Sequence, residues 1–185
     1  VSRAPSGDFG LRMTGGVGNF GSHRVEAHLD LPSWNDFAVK LDGVLTRRDG
    51  TVDNTLEGED DFNQYDRRGL HLGVQWKPSD SFTARYDFDI SEDRTTPFYV
   101  QLIDRHPSAP AANFAPLVQV QANRARTVDI GVPQQESVGK IHGHMLHLSW
   151  QPSETLEVRS ISAYRKVDQN QFDNGIGAHS GRFVP

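Results

Sequence analysis

The 185-residue sequence predicts an all-β chain of antiparallel, up-and-down strands of the kind that build a transmembrane β-barrel. Three observations predict it. Apolar and polar residues alternate with period two in seven segments, as strands with one wet and one apolar face require. Short turns and long polar loops alternate along the chain. No stretch combines a 3.6-residue apolar period with helix caps.

Taken in order, the first segment, 10–17, sets Leu11, Met13 and Val17 against Arg12 and Thr14. In 24–31, Arg24, Glu26, His28 and Asp30 alternate with Val25, Ala27, Leu29 and Leu31. In 37–47, Phe37, Val39, Leu41 and Leu45, with Gly43 in register, oppose Lys40 and Asp42. Segment 69–76 sets Leu70, Leu72, Val74 and Trp76 against His71 and Gln75. Segment 82–91 sets Phe82, Ala84, Tyr86, Phe88 and Ile90 against Thr83, Arg85, Asp87, Asp89 and Ser91. In 141–150 the apolar face is Leu146, Leu148 and Trp150, and 156–166 begins with Leu156 and Val158 before blurring at Ser160 and Ser162.

The connections fall into two kinds. Residues 19–21, 32–36, 78–80 and 152–154 make short turns; 49–66 is long and acidic, and 94–139 is longer still. A meander then collects all the short turns at one end and the long loops at the other, as outer-membrane barrels do. The turn sequence Trp76-Lys77-Pro78-Ser79-Asp80-Ser81-Phe82 recurs as Trp150-Gln151-Pro152-Ser153-Glu154-Thr155-Leu156, and more loosely at 31–37. Proline is expected to preset the turn, with Ser, Asp and Glu satisfying free backbone donors. The copies set Trp34, Phe37, Trp76, Phe82 and Trp150 at one level, where a membrane–water boundary favours amphipathic rings.

Composition excludes several classes. No apolar run reaches the ~18 residues of a membrane-spanning helix. A net charge of −5 argues against a nucleic-acid partner, and the absence of cysteine removes disulfides and thiol chemistry. A mean hydropathy of −0.58 is compatible with a barrel, where only alternate residues face lipid. A soluble β-sandwich binding module also alternates, but here the apolar faces run four or five positions and the polar face carries both signs of charge, as a lumen would.

At this point the residues resemble a known family. Val1-Ser2-Arg3-Ala4-Pro5-Ser6-Gly7-Asp8-Phe9-Gly10 resembles the junction where the plug of a TonB-dependent outer-membrane receptor enters its barrel. Residues 13–21 are similar to that family's first strand and hairpin, 46–54 to its first long external loop, and 160–165 to a recurrent later strand. The resemblance runs through the chain except 95–136, with the pieces in the family's order. It implies a barrel of about 22 strands with a plugged lumen. It also implies a location in the bacterial outer membrane and import of a scarce nutrient, such as a ferric siderophore or cobalamin, driven through TonB. Residues 1–8 would then end the plug, 9–168 would carry barrel strands with external loops 50–66 and 94–139, and 169–185 would begin a further external loop. Seven strands are about a third of such a barrel, so the chain is expected to be part of a longer receptor, with TonB contacted through segments outside it. The competing expectation is a self-contained eight-stranded outer-membrane barrel (structural, adhesin or pore), with a further hairpin hidden near Val100 or Val118–Val120.

No enzyme activity, cofactor or metal is expected. His142 and His144 share a strand face while His147 points away, so the three cannot ligate one ion and read as rim or lumen histidines. Glu57, Glu59, Asp60 and Asp61 lack the spacing of a calcium loop. Gly15-Gly16-Val17-Gly18 lacks the lysine and helix of a phosphate loop and fits a tight hairpin with positive φ. Arg24, Glu26, Lys40, Asp42, Arg85, Asp87 and Asp89 are expected to pair across strands on a wet face. In the longest loop, Phe98, Tyr99, Arg105, His106, Phe114, Arg124 and Arg126 are the expected ligand contacts, suited to an anionic or aromatic small molecule.

Overall fold

The computed structural model describes residues 3–101, 103–104, 106–110, 123–128 and 135–173. Seven strands form one antiparallel sheet: β1 (Gly10–Val17), β2 (His23–Trp34), β3 (Phe37–Arg48), β5 (Tyr65–Ser79), β6 (Phe82–Thr95), β8 (Ser137–Ser153) and β9 (Leu156–Asn170). Their order in the sheet is their order in the chain, a pure meander. Two short strands, β4 (Asp53–Asn54) and β7 (Thr127–Val128), pair in parallel outside it. Each of the seven predicted segments is a strand. Most run further than the alternation alone indicated, because backbone pairing continues past the last alternating side chain.

The register stacks the apolar residues into rows. Val25, Ala27 and Leu29 of β2 oppose Leu45, Gly43 and Leu41 of β3. Leu41, Val39 and Phe37 oppose Leu72, Val74 and Trp76 of β5, which in turn oppose Phe88, Tyr86 and Ala84 of β6. Phe82, Ala84 and Tyr86 then meet Trp150, Leu148 and Leu146 of β8. A one-residue slip would send each of these side chains to the opposite face, so the alternation fixes the register. At β9 the separation fails: Val158, Ser160, Ser162 and Tyr164 share the apolar face, while Ile161 and Ala163 face the polar side.

Three of the four short hairpins share a construction. Each closes through two residues, Asn35–Asp36, Asp80–Ser81 or Glu154–Thr155, and each has a register shift just before the turn. Pro32, Pro78 and Pro152 lie within those shifts, not in the turns they were expected to preset. A residue without an N–H is tolerated where the ladder is interrupted. Asn35 and Asp36 take positive φ (44° and 67°) and close their hairpin unaided by proline. Adjacent turns are tied together, Lys77 N–H donating to Asp36 O at 2.9 Å and Gln151 N–H to Ser81 O at 2.7 Å. The β1–β2 turn, expected beside the other short turns, lies instead at the long-loop end, because a meander alternates ends with every connection; there Asp49 N–H donates to Phe20 O at 2.9 Å. Its positive φ values fall at Phe20 and Gly21, whereas Gly15 and Gly16 are extended within β1. The hairpin geometry expected of residues 15–18 therefore sits a few residues later.

β1 and β9 form the two edges, and no pairing joins them among the described residues. The sheet is an open seven-stranded segment. Val100 lies in no strand, and Val118–Val120 fall outside the described residues. The segment before β1 crosses the polar face near the short turns. Ser6 N–H donates to Asp30 Oδ1 at 2.9 Å, Ser33 N–H donates to Gly7 O at 2.7 Å, and buried Pro5 lies over Gly73.

Candidate functional site

Two features stand out: the loop unit at one end of the sheet and the charged face along it. The loops after β3 and β6 read as polar and separate, yet they share a small core. Val52, Phe62, Ala125 and Val128 are buried together, with Tyr99 edge-on to Phe62 at 5.5 Å between centroids. Phe62, at 0% exposure, is more deeply buried than the residues of the open sheet. Backbone bonds stitch the two loops: Asp53 N–H to Arg126 O and Thr55 N–H to Val128 O, both at 2.8 Å, and Asn63 N–H to Pro97 O at 3.0 Å. Asp61 is part of this framework, accepting from Asn54 N–H at 2.9 Å, while Glu57 and Asp60 are exposed. Burial raises the pKa of the Tyr99 phenol above its ordinary value.

The predicted ligand contacts separate within this unit. Phe98 is 75% exposed, Tyr99 is half-buried against Phe62, and His106 is exposed with its Nδ1 2.6 Å from Ser108 Oγ. Arg124 and Arg126 are exposed on either side of buried Ala125. Arg105 and Phe114 lie outside the described residues. Sequence reading missed Val52, Phe62 and Val128. Their signal was present, as isolated large apolar residues in otherwise polar loops.

On the polar face one register row crosses every strand: Arg12, His28, Asp42, His71, Asp89, Gly143 and Arg165. Asp42 is held by His28 Nδ1 at 2.7 Å, Lys40 Nζ at 3.0 Å and His71 Nδ1 at 3.1 Å. The other ring nitrogen of His71 lies 3.0 Å from Asp87 Oδ1, which also accepts from Arg85 at 2.8 Å. The expected cross-strand pairing therefore occurs at His28–Asp42, His71–Asp42, His71–Asp87 and Asp89–Arg165. Arg24–Glu26, Lys40–Asp42 and Arg85–Asp87 pair along their own strands instead, because side chains two residues apart share a face. A cavity of about 380 Å³ lies beside this network, bounded by Ala4, Arg85, His147 and Arg159. Among the described residues no group of three or more His, Asp or Glu side chains could hold a metal ion.

On the apolar face, Phe37 stacks on Trp76 (6.0 Å, 14°), Phe82 meets Trp76 edge-on at 5.9 Å, and Trp150 is the register partner of Phe82. Trp34 is the partner of Phe37 and is 72% exposed. The histidine expectation needs correction. His142 and His144 lie on the apolar face, since period two counted back from Trp150, Leu148 and Leu146 reaches them. There Tyr86 Oη lies 2.6 Å from His144 Nδ1. Only His147 of the three lies on the polar face.

No protein-family profile matches the chain, and no curated protein matches it. Among solved structures it is similar to the ferric yersiniabactin uptake receptor FyuA of Yersinia pestis, with a TM-score of 0.65 and 16% sequence identity. The match covers 91% of this chain and 24% of that one. At that identity the likeness is one of fold: the chain is built as a seven-stranded segment of a β-barrel receptor is built.

Proposed function

We propose that the chain is the first part of the barrel of an outer-membrane active-transport receptor, one that binds a scarce nutrient and imports it with energy coupled through TonB. The observation that carries this reading is the two-faced sheet. Its outward rows are apolar from β2 through β6 and continue into β8 at Leu146, Leu148 and Trp150, and its other face holds an ionic network, on sheet strands of 12 to 17 residues from β2 onward. Those lengths exceed the ~9–11 residues a tilted strand needs to cross a bilayer. The fold likeness to FyuA, a ferric yersiniabactin uptake receptor, supports the same reading.

In this account residues 1–8 end a plug, and the polar face lines the lumen. The loops around 50–66 and 94–139 are external, and 169–185 begins another external loop. Trp34, Phe37, Trp76, Phe82 and Trp150 sit at the periplasmic membrane boundary. Outer-membrane lipid surrounds the strands, and TonB acts through segments outside this chain. Phe98, Arg124 and Arg126 contact the nutrient with Tyr99 supporting them, and Arg105, His106 and Phe114 take the same role. A guanidinium beside an aromatic ring suits a ligand that is both anionic and aromatic. The test is titration of the chain in detergent micelles with a panel of ferric siderophores and cobalamin. Saturable binding of one of them, weakened at least about tenfold by Arg124→Gln with Arg126→Gln, is expected; ~1.4 kcal/mol is the corresponding loss. No binding to any, or binding indifferent to both arginines, would overturn the assignment.

A further inference from the structure

The segment 98–101 and the segment 124–126 lie side by side, joined by Ala125 N–H donating to Gln101 Oε1 at 3.0 Å. In both, exposed and covered side chains alternate. Phe98 and Val100 are 75% and 55% exposed, and Arg124 and Arg126 are exposed, while Tyr99 and Ala125 turn toward Phe62. Phe62 belongs to the other loop. The exposed row is therefore held from beneath by a residue that a ligand bound on it cannot touch.

We propose that residues 51–63, 96–101 and 123–128 of the two long loops form a single cooperative body, with Phe62 as the positioning residue that aligns Phe98, Val100, Arg124 and Arg126 into one contact surface for an aromatic carboxylate. A parallel pair of two residues, β4 with β7, is marginal alone, and the shared apolar core is what makes the two loops cooperative. Contact with either loop then sets the state of both. The ligand class rests on the receptor reading above; the coupling of the loops does not.

Hydrogen–deuterium exchange on the full chain in micelles tests the coupling. Phe62→Ala should raise exchange at Asp53 and Thr55 in one loop and at Ala125 in the other by the same factor, leaving the amide of Leu72 in the sheet unchanged. Glu57→Ala, at an exposed position, should change neither loop. An increase confined to residues 49–64 would overturn the proposal. Because the chain has no cysteine, Asp53→Cys with Thr127→Cys adds one unambiguous disulfide between register partners. In the Phe62→Ala background that bond should restore protection to both loops, and its failure to protect Ala125 would also overturn the coupling. Benzoate serves as the probe of the surface. Its affinity should fall at least tenfold in Phe62→Ala and return when the disulfide forms. Failure of benzoate to bind the wild-type chain would overturn the contact surface alone, leaving the exchange result to decide the coupling.

Discussion

Asp89 of β6 and Arg165 of β9 form an ion pair at 2.9 Å although β8 runs between them, and the β8 residue beneath the pair is Gly143. A Cβ at Gly143 would stand 2.9 Å from Asp89 Oδ1 and 3.2 Å from Arg165 Nε. The missing side chain is what lets two non-adjacent strands bond across a third. Gly143→Ala should push the carboxylate aside and separate the pair. Both partners are well exposed, so the loss should be small, about 0–1 kcal/mol. Urea unfolding of Gly143→Ala, Arg165→Gln and the double variant checks this. The double variant should be no less stable than the worse single one, and fully additive losses would show that the glycine and the pair are independent.

The two faces should respond oppositely to a charge. Leu72 lies in the middle of the apolar face, between Leu41 and Phe88. Leu72→Arg should destabilise the chain in vesicles by about 2–4 kcal/mol, the cost of a guanidinium at the bilayer midplane. Ser91→Arg, on the charged face, should cost far less. Equal effects in denaturant titrations would mean that neither face meets lipid.

Trp76 touches two rings and Trp34 has no ring partner among the described residues. Aromatic pairs contribute about 0.5–1.5 kcal/mol each beyond area burial. Trp76→Ala should therefore cost roughly 1–3 kcal/mol more than Trp34→Ala, which removes a ring that is already mostly exposed. Unfolding of the two variants followed by circular dichroism measures the difference.

The loop unit should open in alkali. Burial favours the neutral Tyr99 phenol, so the folded unit holds that proton more tightly than the unfolded chain does. This contribution is fully present below the unfolded value of about 10 and is lost as pH rises through the higher folded value. With the intrinsic base catalysis of exchange divided out, protection at Ala125 should fall across that window in the wild type and stay level in Tyr99→Phe. An identical fall in protection in both would assign the opening to another group.

The strands were legible because each alternates over four or more positions, and pairing preserves that parity across the sheet. Leu41, Leu72 and Phe88 share a face that follows from sequence parity, and the pairing register sets them in one row. His142 and His144 were misjudged for a different reason: residue type suggested a wet site while position placed them on the apolar face. The loop core was legible only as isolated large apolar residues: Phe62 and Val128 are 66 residues apart and neither belongs to a periodic segment, so nothing in the sequence joined them. Only three-dimensional closure brings them together. The charged face was readable as residue types, but the choice between pairing along a strand and across strands depends on side-chain geometry.

One face of this sheet should meet lipid and the other water. The most direct measurement places a spin label at each position from 70 to 75 in turn, through single cysteines in the otherwise cysteine-free chain inserted in lipid vesicles. Labels at 70, 72 and 74 should collide with lipid-soluble oxygen, and labels at 71, 73 and 75 with a water-soluble nickel chelate. Uniform accessibility to the nickel chelate, or a chain that stays monomeric in detergent-free buffer without entering the vesicles, would contradict it.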